Sequence, residues 1–332
     1  MATEKEIVVS GIRSTGFLHL GNYFGAIRNY VRMQDEFNCY FFIADWHSLT
    51  THPDPKDLAG NVLRMVAENV AAGLDPEKVA LFAQSDVPEI AELYMLLNTL
   101  AYKGELEKVP TFKEKVRLNP DNVNAGLLTY PVLMASDILV HRATKVPVGK
   151  DQEQHLEMAR NFAHRFNTRY GADFFPGPQA FNYGDNLVRI PSLDGAGKMS
   201  KSENQMATLY LADDDDLIRK KVMKAKSDSA AGGEMPESVA NLFQLMSLVG
   251  HAATVAKFRE DFNAGTIRYG DMKKQLAEDM VAFIGPIREK TLELQKDKVY
   301  LNKIMRAGAE KARASASATL VEVRKLIGIN YY

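Results

Sequence analysis

Ile7-Val8-Val9-Ser10-Gly11-Ile12-Arg13-Ser14-Thr15-Gly16-Phe17-Leu18-His19-Leu20-Gly21-Asn22 begins as an apolar run and ends in a polar turn punctuated by glycine. Ile7 to Val9 reads as a short buried strand, and the amphipathic pattern from about Gly21 to Met33 reads as a helix. Strand, glycine-rich turn and helix form a ground plan for phosphate binding, because a helix start offers free N–H groups and a positive dipole end. His19 and Asn22 stand where the helix begins, placed to hydrogen-bond phosphate or ribose. The spacing from Gly11 to Gly16 is that of a P-loop, but Phe17-Leu18 replaces the required Lys-Ser/Thr. The glycines are too widely spaced for a dinucleotide fingerprint.

Outward from this stretch, strands alternate with helices. Apolar runs at Ile7–Val9, Tyr40–Ala44, Val79–Ala83 and Val146–Val148 read as strands buried on both faces. Helical patterns near Gly21–Met33, Leu58–Ala72, Ile90–Tyr102 and Leu127–Val140 lie between them. That alternation predicts an α/β fold with a parallel sheet, whose ligands bind beyond the carboxyl ends of the strands. Asp45-Trp46-His47, Gln84-Ser85-Asp86 and Gly149-Lys150-Asp151-Gln152 fall at those ends. The stretch 87–141 is too long for one crossover helix and reads as a helical insertion, with a charged loop, Glu105–Asn122, carrying Lys108, Lys113, Lys115 and Arg117.

Beyond Thr208 the strand signal fades into helical patterns at Leu217–Lys226, Ser238–Leu248, Ala253–Phe262, Asp271–Phe283, Pro286–Gln295 and Leu301–Ile327. The run Asp213 to Asp216 reads as an acidic helix start rather than a metal site. The expected organisation is a catalytic domain over 1–190, a loop over 191–207 and a smaller all-α domain over 208–332. A net charge of −1 over 332 residues leaves any nucleic-acid contact to local basic patches. The single cysteine, Cys39, excludes an internal disulfide framework, and the seven histidines show no paired metal-ligand motif. No signal peptide precedes Ile7 and no apolar stretch is long enough to span a bilayer, so a reducing cytoplasm is the expected setting.

A second phosphate-suited element lies far downstream. Lys198-Met199-Ser200-Lys201-Ser202 follows Asp194-Gly195-Ala196-Gly197, a glycine-loosened loop. Its two lysines can close on one polyanion and follow negative charge onto a leaving pyrophosphate. Together the two elements resemble the paired signatures of class I aminoacyl-tRNA synthetases: His19-Leu20-Gly21-Asn22 is similar to the first, and Lys198 to Ser202 matches the second letter for letter. The resemblance implies a Rossmann-like catalytic domain.

The third informative segment runs from Gly126 to Leu139 and reads as a helix with Pro131 near its start. Asp137 interrupts its apolar face, and Tyr130, Met134, Val146 and Val148 would make an apolar slot around that one acceptor. A carboxylate only accepts, so an indole N–H or a phenol hydroxyl suits it. Thr129 to Leu139 closely resembles tryptophanyl-tRNA synthetases of bacterial type, and the likeness runs from Ile7 to the C-terminal helix. In tyrosine enzymes a Gln is expected about where Met134 stands.

The resemblance implies roles residue by residue. Arg13, Ser14 and Thr15 match the first ATP-contacting turn, where the family often has Gln-Pro-Ser. Gly21 and Asn22 match adenosine and phosphate contacts, and Gly149, Lys150 and Asp151 match the ribose segment, usually Gly-Glu-Asp. Ile190 matches a backbone contact to adenine; Lys198 and Lys201, within the signature that includes Met199, Ser200 and Ser202, match the phosphate-binding lysines. Met134 and Asp137 match positions that pack on and bond the indole; Val9 and His47 match pocket positions, and Gln152 is placed for the amino or carboxyl group. The implied substrates are ATP with Mg²⁺, L-tryptophan and tRNA(Trp), and the implied assembly is a homodimer, with no structural metal. A tyrosyl-tRNA synthetase, a nucleotidylyltransferase without tRNA, and a nucleotide-binding paralogue that charges no tRNA are the other readings.

Overall fold

The computed structural model describes residues 5–14, 16–149, 153–183, 189–195, 197–200, 204–227 and 234–331. Strand β1 (Ile7–Arg13) leads into α1 (Leu20–Asn22), a π-helical stretch at Tyr23–Ile27, and α2 (Arg28–Glu36). Then come β2 (Asn38–Ala44), α3 (Asp45–Ser48), α4 (Pro55–Ala71) and β3 (Ala80–Ala83). Helices α5 (Glu89–Asn98), α6 (Lys103–Leu106), α7 (Pro110–Leu118) and α8 (Ala125–Leu139) separate β3 from β4 (Lys145–Val146). Helix α9 (Glu153–Tyr170) and β5 (Gln179–Ala180) complete the sheet region. The remainder is helical: α10 (Asp215–Met223), α11 (Glu237–Val249), α12 (Ala252–Asn263), α13 (Tyr269–Lys296) and α14 (Lys298–Ile327).

The sheet is parallel throughout, in the order β3-β2-β1-β4-β5. The chain lays β1, β2 and β3 outward to one side and then returns to place β4 on the other. The strand order therefore reverses beside β1, which opens a crevice at the carboxyl ends of β1 and β4. Both faces are buried, and side chains divide between them with period two. Val8, Cys39, Phe41, Ile43 and Leu81 enter a core shared with α4 and α10 to α13. Val9, Tyr40, Phe42, Ala80 and Phe82 enter a second core with α5, α8, α9 and α14.

Several elements depart from the expectations. The strand predicted at Val146–Val148 ends at Val146, because Pro147 has no N–H to continue a ladder. Residues 110–118 of the expected charged loop form α7, with Pro110 in its first turn. Pro131 lies nearly two turns inside α8 rather than at its start. The two helices predicted on either side of Pro286 are one helix, α13; the preceding Gly285 carries no Cβ for the proline ring to strike. In the acidic run, Asp214 caps α10 through Leu217 N (2.7 Å), while buried Asp213 pairs with buried Lys221.

Helix α14 lies against the backbone of β3, the edge strand. A Cβ at Gly308 would come within 2.1 Å of the Leu81 carbonyl oxygen, so only glycine permits this approach. Gly308, Ala312 and Ala316 form the buried seam, while Ala307 and Ala314 face outward. Under this helix, His141 stacks on Tyr40 with ring centroids 4.3 Å apart, and its Nδ1 lies 3.2 Å from Ser315 Oγ on α14. Its Nε2 has no hydrogen-bond partner among the described residues. Burial pushes the imidazole down to about 3 from its ordinary 6.5.

His141 is thus neutral in the folded chain, while the unfolded chain takes up its proton near the ordinary value. Its stabilising contribution is complete above pH 6.5 and is lost as pH falls toward 3, by at most about 1.4 kcal/mol per pH unit. Urea unfolding at pH 7.5 and pH 5 should show the parent losing more stability than His141→Phe over that interval. Equal losses would remove His141 as a source of acid sensitivity.

Candidate active site

Two cavities open side by side at the crevice. One, of about 380 Å³, lies between β1, the segment after β4, α3 and α8. The other, of about 570 Å³, lies between the turn after β1, helix α2 and the Lys198 loop. Gly11, Arg13 and Tyr30 line both. Gly11 is dictated by packing: a Cβ there would sit 2.6 Å from the Phe42 ring.

The first cavity mixes apolar walls with the polar side chains of Ser10, Arg13, Tyr30, His47 and Asp137. Val9, Tyr130, Met134, Val146 and Val148 line it, as the sequence suggested, together with Ile138, and Gly149 stands at its edge. Asp137 is 1% exposed, and both its oxygens are held. Gln84 Nε2 donates to Oδ1 at 2.7 Å, and His47 Nε2 lies 2.7 Å from Oδ2. Burial pushes the Asp137 carboxyl up; the bonds from His47 and Gln84 oppose that by favouring the ionised form. Gln84 Oε1 also accepts from His47 N at 3.3 Å, so one buried amide orients both groups. His47 Nδ1 has no partner among the described residues. The His47 ring meets Tyr130 edge-on at 4.6 Å, and Lys115 Nζ stands 4.5 Å from the centroid of the same Tyr130 ring. Burial, and then the charge of Arg13, pushes the Lys115 ammonium below its ordinary value.

The second cavity is built on the turn after β1. Gly16 takes φ 65°, a left-handed conformation suited to glycine. Arg64 Nη2 donates to Gly16 O at 2.8 Å, and Leu18 N donates to buried Glu68 at 3.2 Å. On the other side Leu20 N donates to Leu209 O (3.0 Å) and Leu211 N to Leu18 O (2.8 Å). His19 caps the helix in a reciprocal arrangement with Asn22, whose Oδ1 accepts from His19 N at 3.1 Å. The His19 ring lies over Gly21, where a Cβ would fall 2.7 Å from it. His19, Gly21 and Asn22 therefore face the cavity together with the helix N-terminus.

Across the cavity the Lys198 loop forms a tight hairpin. Met199 N donates to Ile190 O at 2.8 Å and Ser192 N to Gly197 O at 2.9 Å. Gly195 and Gly197 both take positive φ, 73° and 117°. This presents exposed Lys198, with Ile190, Met199 and Ser200, toward His19 and Asn22.

Of the other candidate residues, Arg13 lines both cavities. Ser14 is fully buried, with its hydroxyl 2.8 Å from Ser48 Oγ, and lines neither cavity. Thr15, Lys150, Asp151, Gln152, Lys201 and Ser202 lie outside the described residues. Sequence reasoning placed Gln84 at a strand end and Lys115 in a charged loop without giving either a part in the cavity, and it named neither Tyr30 nor Arg189. Gln84 carried a usable signal, a polar residue directly after a wholly buried strand. Tyr30 and Arg189 carried none, since only the packing of α2 and the hairpin brings them to the cavities.

The family described as tRNA synthetases class I (W and Y) matches residues 1–285. A tryptophan–tRNA ligase of Porphyromonas gingivalis is 58% identical, covering 97% of this chain and 99% of that protein. One from Rickettsia felis is 42% identical over 98% of this chain and 99% of its own. Among solved structures, tryptophanyl-tRNA synthetase from Campylobacter jejuni, complexed with ADP and tryptophan, superposes with a TM-score of 0.87 at 34% identity, covering 97% and 99% of the two chains. A tyrosyl-tRNA synthetase from Aeropyrum pernix, 18% identical with a TM-score of 0.67, shares the fold. With its parallel sheet, its two signature loops and this full-length similarity, the chain belongs to the tryptophan and tyrosine family of class I tRNA synthetases.

Proposed function

We propose that this enzyme is a tryptophan–tRNA ligase: it activates L-tryptophan with ATP to tryptophanyl-adenylate and transfers it to the 3′-terminal adenosine of tRNA(Trp). The observation that carries the choice of amino acid is the buried Asp137 carboxylate, fixed by Gln84 and His47 beside the apolar side chains of Val9, Met134, Val146 and Val148. An indole N–H is the donor such an end requires. A phenol could also donate, but Met134 lines the cavity about where the resemblance implies Gln in tyrosine enzymes, and the 58% identical relative is a tryptophan–tRNA ligase.

The chemistry needs no protein nucleophile. The tryptophan carboxylate attacks the α-phosphorus in line, and pyrophosphate leaves. The chain's part is to position the two substrates and to stabilise charge. Tryptophan occupies the first cavity and ATP the second, so their reacting groups meet at the shared wall of Gly11, Arg13 and Tyr30. His19, Asn22 and the helix N-terminus bind phosphate oxygens, and Lys198 with Lys201 takes the developing pyrophosphate charge. Mg²⁺ arrives with ATP, which supplies its own oxygen ligands; among the described residues no group of three or more ligand-type side chains gathers. The Gly195 and Gly197 backbone gives the lysine loop its hinges.

In this reading residues 1–190 bind the small substrates and 208–332 read the tRNA anticodon. Exposed Leu49, Met95, Tyr102, Leu118 and Val123 on or beside the α5–α8 insertion supply an apolar face for homodimerisation. Among the described residues no helix is long and apolar enough to cross a membrane, which is compatible with a cytoplasmic enzyme.

Amino-acid-dependent pyrophosphate exchange across all twenty amino acids tests the assignment. Tryptophan alone should support exchange; efficient exchange with tyrosine would replace it. Lys198→Ala should lower kcat for exchange by about 100-fold while the tryptophan Kd changes less than about twofold. Comparable losses in both would remove Lys198 from the pyrophosphate side. Asp137→Asn should lower discrimination against tyrosine and phenylalanine by about 10- to 100-fold with little change in the KM for ATP. Unchanged selectivity would take Asp137 out of the indole contact.

A further inference from the structure

The buried pair Lys221–Asp213 lies outside both cavities, on the far side of the His19 turn. Lys221 is 3% exposed and Asp213 7%. Burying two charges gains little net stability, and such a pair is often replaceable by apolar residues without loss. The bonds these two residues make point instead to registry. Lys221 Nζ donates to Asp213 Oδ2 at 2.6 Å and to Thr208 O at 2.8 Å. Asp213 Oδ2 also accepts from Tyr210 N at 2.9 Å, and Asp213 O accepts from Arg288 of α13 at 2.8 Å.

The segment 208–211 held in this way touches both signature loops. Thr208 Oγ1 donates to Ser200 O at 3.0 Å, at the base of the lysine loop. Residue 210 bridges His19 in an antiparallel pair, flanked by the Leu18–Leu211 and Leu20–Leu209 hydrogen bonds. The Tyr210 ring meets the His19 ring edge-on at 6.4 Å, and Lys221 Nζ sits 4.8 Å over its centroid. Three contacts therefore lead from one ammonium group to the lysine loop, the His19 backbone and the His19 ring.

We infer that Lys221, with Asp213 and Tyr210, is a positioning residue for adenylate formation: it sets the distance between the His19 turn and the Lys198 loop across the nucleotide cavity. This rests on the activity proposed above. Lys221 does not touch the substrates. It acts through the carbonyl of Thr208 and the ring of Tyr210, and its loss misplaces the groups that hold the phosphates. A misplacement of about 1 Å costs on the order of 100-fold in rate.

The double variant Asp213→Leu/Lys221→Met removes both charges together, so no uncompensated charge stays buried. It should melt within a few degrees of the parent and bind tryptophan within about twofold of it, yet lose about 10- to 100-fold in kcat for tryptophan-dependent exchange. Lys221→Arg, which keeps the charge and a donor, should recover part of that loss. Tyr210→Leu keeps the backbone bridge and tests the ring contact even if the double variant does not fold; it should lose at least about 10-fold in kcat with tryptophan binding intact. Parental kcat in Tyr210→Leu, or in a folded double variant, would overturn the inference, as would a matching loss of tryptophan affinity. An inactive parent would instead overturn the proposed activity, a result distinct from an active parent with unaffected variants.

Discussion

Two backbone hydrogen bonds, Leu20 N to Leu209 O and Leu211 N to Leu18 O, join the turn after the first strand to the segment that follows the lysine loop. The cavity between the turn and the Lys198 loop has walls from both sides of that junction, so it exists only when they are in register. The turn cannot supply this alone. It is a short irregular stretch whose other supports, Arg64 and Glu68, come from α4. The Lys198 hairpin cannot supply it either, because its backbone bonds outward run to Ala207, Lys226 and the Thr208 hydroxyl. Sheet, hairpin and C-terminal helices thus depend on one short antiparallel pairing between residues far apart in sequence.

A different constraint shapes the other cavity. A carboxylate as buried as Asp137 costs several kcal/mol unless its oxygens are bonded. Gln84 and His47 meet that demand from the ends of β3 and β2, so the carboxylate is anchored to the sheet as well as to its own helix. Each carboxylate oxygen has two lone pairs, and one bond to the protein leaves another for a donor from the ligand. Under the proposed activity, the arrangement works against apolar amino acids. A side chain with no donor would leave a desolvated acceptor facing it, and that is more costly than a poor fit between apolar surfaces.

The sequence made much of this legible because the relevant signals are local. β1 and β2 announce themselves as apolar runs between polar turns, and the turn at Gly11 to Asn22 lies where a parallel sheet binds ligands. Residues whose position depends on distant contacts were harder to read. β5 is two residues long, too short for any periodicity, and is a strand only because β4 pairs with it. The continuity of α13 through Pro286 follows from packing on α4 and α10, which outweighs local propensity. Ser14 sits among ATP-contacting positions by motif, yet its hydroxyl turns inward because Ser48 stands behind it. Lys221 reads as one of many lysines on an amphipathic helix, and nothing near it in sequence shows that it faces Asp213 and Tyr210.

Gly11 shows why the fold suits a reaction that uses no protein nucleophile. In the structure the space a Cβ would take is occupied from behind by Phe42, while the front forms the wall common to both cavities. Tyr30 completes that wall, stacked on Phe41 at 4.4 Å with its hydroxyl 2.8 Å from Ser10 Oγ. The two phenylalanines are adjacent on β2 and point into opposite cores, so the wall shared by the two cavities is fixed from both faces of the sheet. Loops can close and reopen around such a wall without moving it. Rate enhancement by positioning requires that separation of roles, with the point of reaction held by the core and the charge-bearing groups carried on segments free to follow the phosphates.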